Sequence, residues 1–208
     1  PTTPVVLELS SFVLEGLDAA GLSPALAAVT NIHPDHLDRY GTMPAYIAAK
    51  AAIARHQRTG DTVVLAADDV VLQQLAQAVP GQVCWTSVRP LDHARHGDVW
   101  WQDDVLWYAA PTGAQVVAHA PDVQLAGQHM RANVAMAVAL ALHAGMPAAL
   151  IAPTLRQFRG VEHRQVPRHP EGHQQVEGRT RRGIEAAAAL RGRRAPAHAR
   201  LVQGGSGR

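Results

Sequence analysis

One lysine, Lys50, stands among 19 basic residues; the other 18 are arginine. Charge and solubility do not need that amine, because guanidinium supplies both. Amine chemistry does need it, since an ammonium can shed its proton and act as a nucleophile, whereas guanidinium cannot. Cysteine is equally scarce. Cys84 alone excludes an internal disulfide and a Cys-based zinc site, and it suits a reducing compartment. Aromatic residues make up only 4% of the chain while hydrophobic residues reach 47%, so the core must be built from Ala, Val and Leu. No long apolar run offers a membrane span. The best candidate, Ala132 to Ala152, is Ala-rich and is interrupted by His143 and by Gly145-Met-Pro147, which reads as two helices and a turn. No signal peptide is visible, and the expected location is the cytoplasm. The chain opens on Pro1 and runs almost at once into an apolar strand, as a fragment with a natural start further upstream would. The net charge of +2 is small, and the excess Arg lies in the last forty-odd residues rather than on a patterned patch, so no nucleic-acid partner is expected.

What is present alternates. Pro4 to Leu9, Leu26 to Asn31, Thr62 to Ala66 and Gln82 to Thr86 read as buried strands. A helix is expected over Met43 to Arg58, closed by Gly60, and another from an Asp68 cap to about Ala78. Apolar strands alternating with helices indicate an α/β fold, a mostly parallel sheet with helices on both faces. Asp98-Val-Trp-Trp-Gln, Val105-Leu-Trp-Tyr and Gln115-Val-Val-Ala-His, parted by Asp-Asp and Pro-Thr-Gly turns, add a small antiparallel meander. All four Trp fall between Trp85 and Trp107, where packing is their expected role. Helices are expected from about Gly127 to His143 and from Pro147 to Phe158. From Gln165 the composition changes: 44 residues with nine Arg and no aromatic side chain. Such a stretch buries too little to fold alone, a helical turn near Glu185 to Leu190 excepted.

Three polar clusters sit at element ends, where open α/β sheets place ligands. Glu8-Leu-Ser-Ser-Phe12 puts a carboxylate at a strand end. Such a group can bind Mg²⁺ or simply end a strand, with Ser10 or Ser11 meeting a ligand or capping the next helix. Asn31-Ile-His-Pro-Asp-His-Leu-Asp-Arg-Tyr40 crowds His33, His36, two Asp and an Arg behind a buried strand. The choice there is a ligand loop or a capping loop, and the two His lack partners for a zinc set. Lys50 shares a helix face with Met43, Tyr46 and Ile47 and is flanked by four alanines, leaving room for close approach. Desolvation would lower its proton affinity, and a neutral amine can take up CO₂ as a carbamate.

Read together, Glu8-Leu-Ser-Ser-Phe12 and Thr30-Asn-Ile-x-x-Asp-His-Leu-Asp-Arg-Tyr-Gly-Thr-Met-x-x-Tyr-x-x-Ala-Lys50 resemble the central domain of the Mur ligases. Within that family the text is most similar to the D-glutamate-adding member. Ala67-Asp-Asp69 resembles the end of the family's Asn-x-Asp-Asp, Gly127-Gln-His-Met-Arg-Ala-Asn133 its Gly-x-His-Asn-x-x-Asn, and Phe158-Arg-Gly-Val-Glu-His-Arg164 its Gly-x-x-His-Arg. The resemblance implies a P-loop-type ATP-binding domain and a cytoplasmic, monomeric, ATP- and Mg²⁺-dependent amide ligase of peptidoglycan synthesis. By it, UDP-N-acetylmuramoyl-L-alanine would be activated as an acyl phosphate and D-glutamate would capture it. It implies that Lys50 is carbamylated and that Glu8, His36 and Lys50 hold the metal. Ser10 and Ser11 would meet the muramoyl substrate, Asn133 and Arg164 the nucleotide, and His163 and Arg164 the reacting acyl and phosphate groups.

The sequence also departs from the family. The Gly-Thr-x-Gly-Lys-Thr phosphate loop is absent, and the single lysine leaves none to serve it; that loop and a UDP-binding domain are expected upstream of Pro1. Met130 stands for the first Asn of its motif, Val13 for Gln and Ala66 for Asn. The expected division is residues 1–164, an incomplete central domain, and 165–208, an Arg/Gly/Ala-rich tail that is disordered or frame-shifted. Two alternatives stand beside the D-glutamate reading: another Mur or folylpolyglutamate synthase superfamily ligase, and a non-catalytic nucleotide-binding remnant. Phe12 argues against the other Mur ligases, which tend to carry His there.

Overall fold

The computed structural model describes residues 5–124, 128–160 and 187–190, with side chains throughout except over 125–128 and 187–190. In chain order the elements are β1 (Val5–Glu8), α1 (Ser11–Ala19), β2 (Leu26–Val29), α2 (Leu37–Tyr40), α3 (Met43–Arg55), β3 (Thr62–Ala66) and α4 (Val70–Ala76). They continue with β4 (Gln82–Ser87), β5 (Val99–Gln102), β6 (Val105–Ala110), β7 (Gly113–His119), α5 (Gln128–His143), α6 (Ile151–Gln157) and β8 (Ala187–Leu190). The strand order across the sheet is β1-β8-β2-β3-β4-β5-β6-β7. β2 to β5 are parallel. β5, β6 and β7 form the expected antiparallel meander. Its first turn places Asp103 and Asp104 at φ 48° and 62°. A two-residue hairpin needs positive φ at both positions, and Asp tolerates it better than most residues.

Alternation along the strands divides the core in two. Ala27, Val29, Val63 and Leu65 face Leu14, Tyr46, Ile53 and Leu72 of α1, α3 and α4. Ala28, Val64, Cys84 and Val99 face the other way, onto Val134, Ala135, Val138 and Ile151 of α5 and α6. Side chains on successive strand residues point to opposite faces, so each of these strands serves both layers. Of the tryptophans, Trp101 and Trp100 are buried, and Trp100 stacks on Trp107 at 6.4 Å.

Two local readings are corrected. Asp69, not Asp68, caps α4: its Oδ1 accepts from the Val71 and Leu72 amides at 2.8 and 3.2 Å. Asp68 instead accepts from Val88 N at 2.9 Å and pairs with Arg89. Residues 187–190 form a strand rather than a helical turn, pairing antiparallel with both β1 and β2. An isolated turn of helix gains too little to persist, whereas a strand between two open edges satisfies its backbone on both sides. Glu185 and the rest of the tail lie outside the described residues, as do the boundary at 164 and the segment that follows it.

At the N-terminal ends of β2, β3 and β4 the chain is tied by buried polar bonds. The Gln57 carboxamide, 4% exposed, donates to the Pro24 and Thr62 carbonyls, both at 3.0 Å. Ser23 donates to the Ala52 carbonyl at 3.1 Å and accepts from His56 N at 3.0 Å. A β-carbon on Gly81 would lie 2.8 Å from the Asp61 carbonyl oxygen, so only glycine fits between these segments without a shift. The candidate site lies at the opposite, C-terminal ends.

Candidate functional site

Glu8 ends β1 and is exposed. Two residues on, Ser10 caps α1 in extended conformation, its hydroxyl accepting from Val13 N at 3.4 Å. Ser11 is 1% exposed, and its Oγ has no hydrogen-bond partner among the described residues. Phe12 and Val13 are half exposed on the same helix.

The loop after β2 is fixed to the turn between β3 and α4 by a carboxylate. Asp69 Oδ2 accepts from Ile32 N at 3.1 Å while its other oxygen caps α4, so one side chain joins the loop to the sheet. His33 is exposed. His36 stands before α2 with φ 51°, in the left-handed region. A non-glycine residue held there costs about 1–3 kcal/mol and persists only where its surroundings impose it. Its imidazole lies edge-on to Phe12, centroids 5.7 Å apart, and edge-on to Tyr46 at 6.2 Å. The Asp35 carboxylate is 3.6 Å from His36 Nε2 and accepts from His36 N at 2.8 Å.

α3 begins at a Thr42 cap with Pro44 in its first turn. Its helical spacing sets Tyr46 and Lys50 on one face. Both are buried, at 2% and 4% exposure, and Lys50 Nζ lies 5.2 Å from the Tyr46 ring centroid. An ammonium over an aromatic face is attracted by the ring quadrupole. Tyr46 therefore touches both His36 and Lys50, while Tyr40 tilts against it at 5.4 Å. From α1, Glu15 accepts from the Tyr40 hydroxyl at 2.7 Å and from Arg39 Nη2 at 2.6 Å. Those bonds, Tyr40's first, hold the Glu15 carboxyl below the usual carboxylate range.

His36 and Lys50, picked from sequence, both lie beside the Tyr46 ring, and Phe12 lies alongside His36. Glu8 lies four residues before Phe12, at the same end of the sheet. Asn133 sits in the second turn of α5, half buried, its Nδ2 at 3.9 Å from Met130 Sδ. His163 and Arg164 lie outside the described residues. Among the described residues no three His, Cys, Asp or Glu side chains converge to hold a metal. The zinc option at His33 and His36 gains nothing from that. Among the described residues no helix is long and apolar enough to cross a membrane.

The sequence reading had Arg39 and Tyr40 within the Asn31–Tyr40 cluster but missed Glu15 and its pairing with them. The signal was available only as an Asp-Arg-Tyr run, and nothing local pairs it with a carboxylate 24 residues away.

The Mur ligase middle-domain model matches residues 2–141. The UDP-N-acetylmuramoylalanine–D-glutamate ligase of Roseiflexus sp. (strain RS-1) is 46% identical over 197 residues, covering 91% of this chain and 42% of that ligase. Such coverage cannot be reached without running past Arg164. The ligase of the same name from Koribacter versatilis is 37% identical over 159 residues, covering 76% of this chain and 34% of its own length. The chain therefore spans less than half of the curated relatives it matches. Among solved structures, a UDP-N-acetylmuramoyl-L-alanyl-D-glutamate–2,6-diaminopimelate ligase superposes with a TM-score of 0.58 at 24% identity, over 77% of this chain and 34% of that one. MurF from Acinetobacter baumannii does so with 0.54 at 22%, over 71% and 32%. Identities this low speak for the fold alone, and they agree with the sheet described above. With its middle-domain match and its D-glutamate-ligase relatives, this chain belongs to the Mur ligase family.

Proposed function

We propose that the chain is the central portion of a ligase that joins D-glutamate to UDP-N-acetylmuramoyl-L-alanine at the expense of ATP, in the cytoplasm. The observation that carries this reading is the 46% identity with a ligase of that name across nearly the whole chain. In it, Ser10 and Ser11 bind the muramoyl substrate, Asn133 and Arg164 the nucleotide, and His163 with Arg164 the reacting groups.

Lys50 is suited to carbamylation. Its amine is shut away from bulk water beside a flat ring, and no other lysine competes for CO₂. In that step the ammonium first gives up a proton, the neutral nitrogen bonds to the CO₂ carbon as a C–O π pair moves onto oxygen, and the nitrogen then loses a second proton to solvent. The product is an anionic oxygen donor at the site of a cation. Glu8, His36 and the Lys50 carbamate would then hold Mg²⁺, a hard ion that prefers such oxygens. When bound, the ion offsets the repulsion between a carboxylate and a phosphoryl group and stabilises the charge of the transfer. Ser11 favours a polar guest: a buried hydroxyl without a partner costs about 1–3 kcal/mol, which a neighbouring polar group would offset. The Asp69 tether keeps the His36 loop against the sheet end.

The test is phosphate release by a family-length ligase containing this segment, with MgATP and each substrate omitted in turn. Release should require both UDP-N-acetylmuramoyl-L-alanine and D-glutamate. Equal turnover with another amino acid in place of D-glutamate overturns the substrate assignment. Lys50→Ala should abolish release while leaving the circular dichroism spectrum unchanged.

A further inference from the structure

The segment that carries His36 has little of its own to hold it in place. α2 is a single turn with no buried residue, and four residues do not sustain a helix by themselves. His36, just before it, occupies a backbone region that must be imposed from outside. Asp35, beside it in the same loop, accepts from His36 N at 2.8 Å.

Glu15 comes from a different element. Its two carboxylate oxygens take one hydrogen bond each from Tyr40 and Arg39, the fourth and third residues of α2. The Arg39 guanidinium, held by Glu15, lies over the Phe12 ring at 4.4 Å. Tyr40, held by the same group, leans on Tyr46. Phe12 and Tyr46 are the two rings that flank the His36 imidazole. One carboxylate therefore holds the turn that follows His36, and the two side chains it holds rest on the rings beside the imidazole. Charge-assisted bonds of this kind are about twice as strong as neutral ones.

We propose that Glu15 is a positioning residue: by pinning α2 to α1 it sets where the His36 imidazole points. The proposal rests on the reading of His36 as a site residue of the ligase.

Magnetisation-transfer contacts by NMR between the His36 ring and the rings of Phe12 and Tyr46 test it. They are measured in this chain, in Glu15→Ala and in Glu15→Gln, together with melting temperature. Glu15 lies on the surface, so both variants should fold and melt within a few degrees of the parent. In Glu15→Ala the His36 contacts should be lost while contacts within the core remain. Glu15→Gln keeps one acceptor oxygen and should retain the Tyr46 contact in part. Full contacts in Glu15→Ala overturn the proposal. So does a loss that merely follows a fall in melting temperature across the series, which is the mark of a general structural role. If Glu15→Ala does not fold, Glu15→Gln decides alone, and unaltered His36 contacts with its Tyr40 bond broken overturn the proposal. A separate spectrum of the parent in ¹³C-bicarbonate looks for a carbamate on the chain's single lysine. Its absence counts against the ligase reading of Lys50, and the His36 contacts still decide the part of Glu15.

Discussion

Gly97→Ala should destabilise the protein severely, for two separable reasons. Gly97 has φ +103°, a region that side chains with a β-carbon rarely enter, at a cost of about 1–3 kcal/mol. Its β-carbon would also lie 2.7 Å from His143 Nε2 and 2.9 Å from His143 Cε1. The ring hangs from the last turn of α5, packed against the strand layer. It can give way by turning off its rotamer, and overpacking of this sort costs about 1–3 kcal/mol. Together the expected loss is about 2–6 kcal/mol, a large part of the stability of a typical domain. Urea unfolding at pH 8 reads it, followed by the emission of the four tryptophans, which lie on β4, β5 and β6. His143→Ala added to Gly97→Ala removes the collision and leaves the backbone strain. The double variant should therefore be more stable than the two single losses added together predict, by about 1–3 kcal/mol. A Gly97→Ala protein within about 0.5 kcal/mol of the parent refutes both arguments. A cycle with no coupling refutes the collision alone.

Asp69→Ala removes the cap of α4 and leaves the amide of Ile32, itself 3% exposed, without its acceptor. About 2–4 kcal/mol should be lost, with accelerated hydrogen exchange at Ile32; unchanged exchange there refutes the tether. Cys84 is buried, donates its thiol to the Gly97 carbonyl at 3.1 Å, and has its pKa pushed well above 9.0 by burial and then by Asp98. Iodoacetamide at pH 8 should leave it intact in the folded chain and modify it in urea; rapid labelling of the native protein contradicts that burial. Burial, with His96 beside it, lowers the pKa of His143 from 6.5 while the Gly97 backbone opposes the shift. The unfolded chain then binds the proton more readily, so stability conferred by neutral His143 is present above about pH 6.5 and is lost as pH falls towards the lowered value. The melting temperature should drop between pH 7.5 and 5.5, and the drop should shrink in His143→Gln; an equal drop in both removes His143 from the explanation.

Strand positions were legible because β2 and β3 are short runs of Val, Leu and Ala ending in turn signals and β4 is a short β-type run, and the meander because Asp103-Asp104 can take two positive φ values. The cap of α4 was misplaced by one residue, since Asp68 and Asp69 are equivalent to any local rule. Only the packing of the His36 loop and of Val88 decides which carboxylate goes where. The strand at 187–190 was unreadable because it is defined by the two edges it joins and not by its own Ala-rich text. At the site, Lys50, His36 and Glu8 were visible as a motif. The aromatic cage and its Glu15 clasp were not, because they join α1 to α2 through contacts between residues far apart in the chain.

The polar knot of Ser23, Gln57 and Gly81 lies at the foot of the sheet, while the loops bearing Glu8, His36 and Asp69 lie at its head. A change at the foot is remote from these loops and should alter how firmly the sheet stands without displacing Glu8 or His36. Asp69 is the exception at the head, since one carboxylate there serves both the α4 cap and the His36 loop.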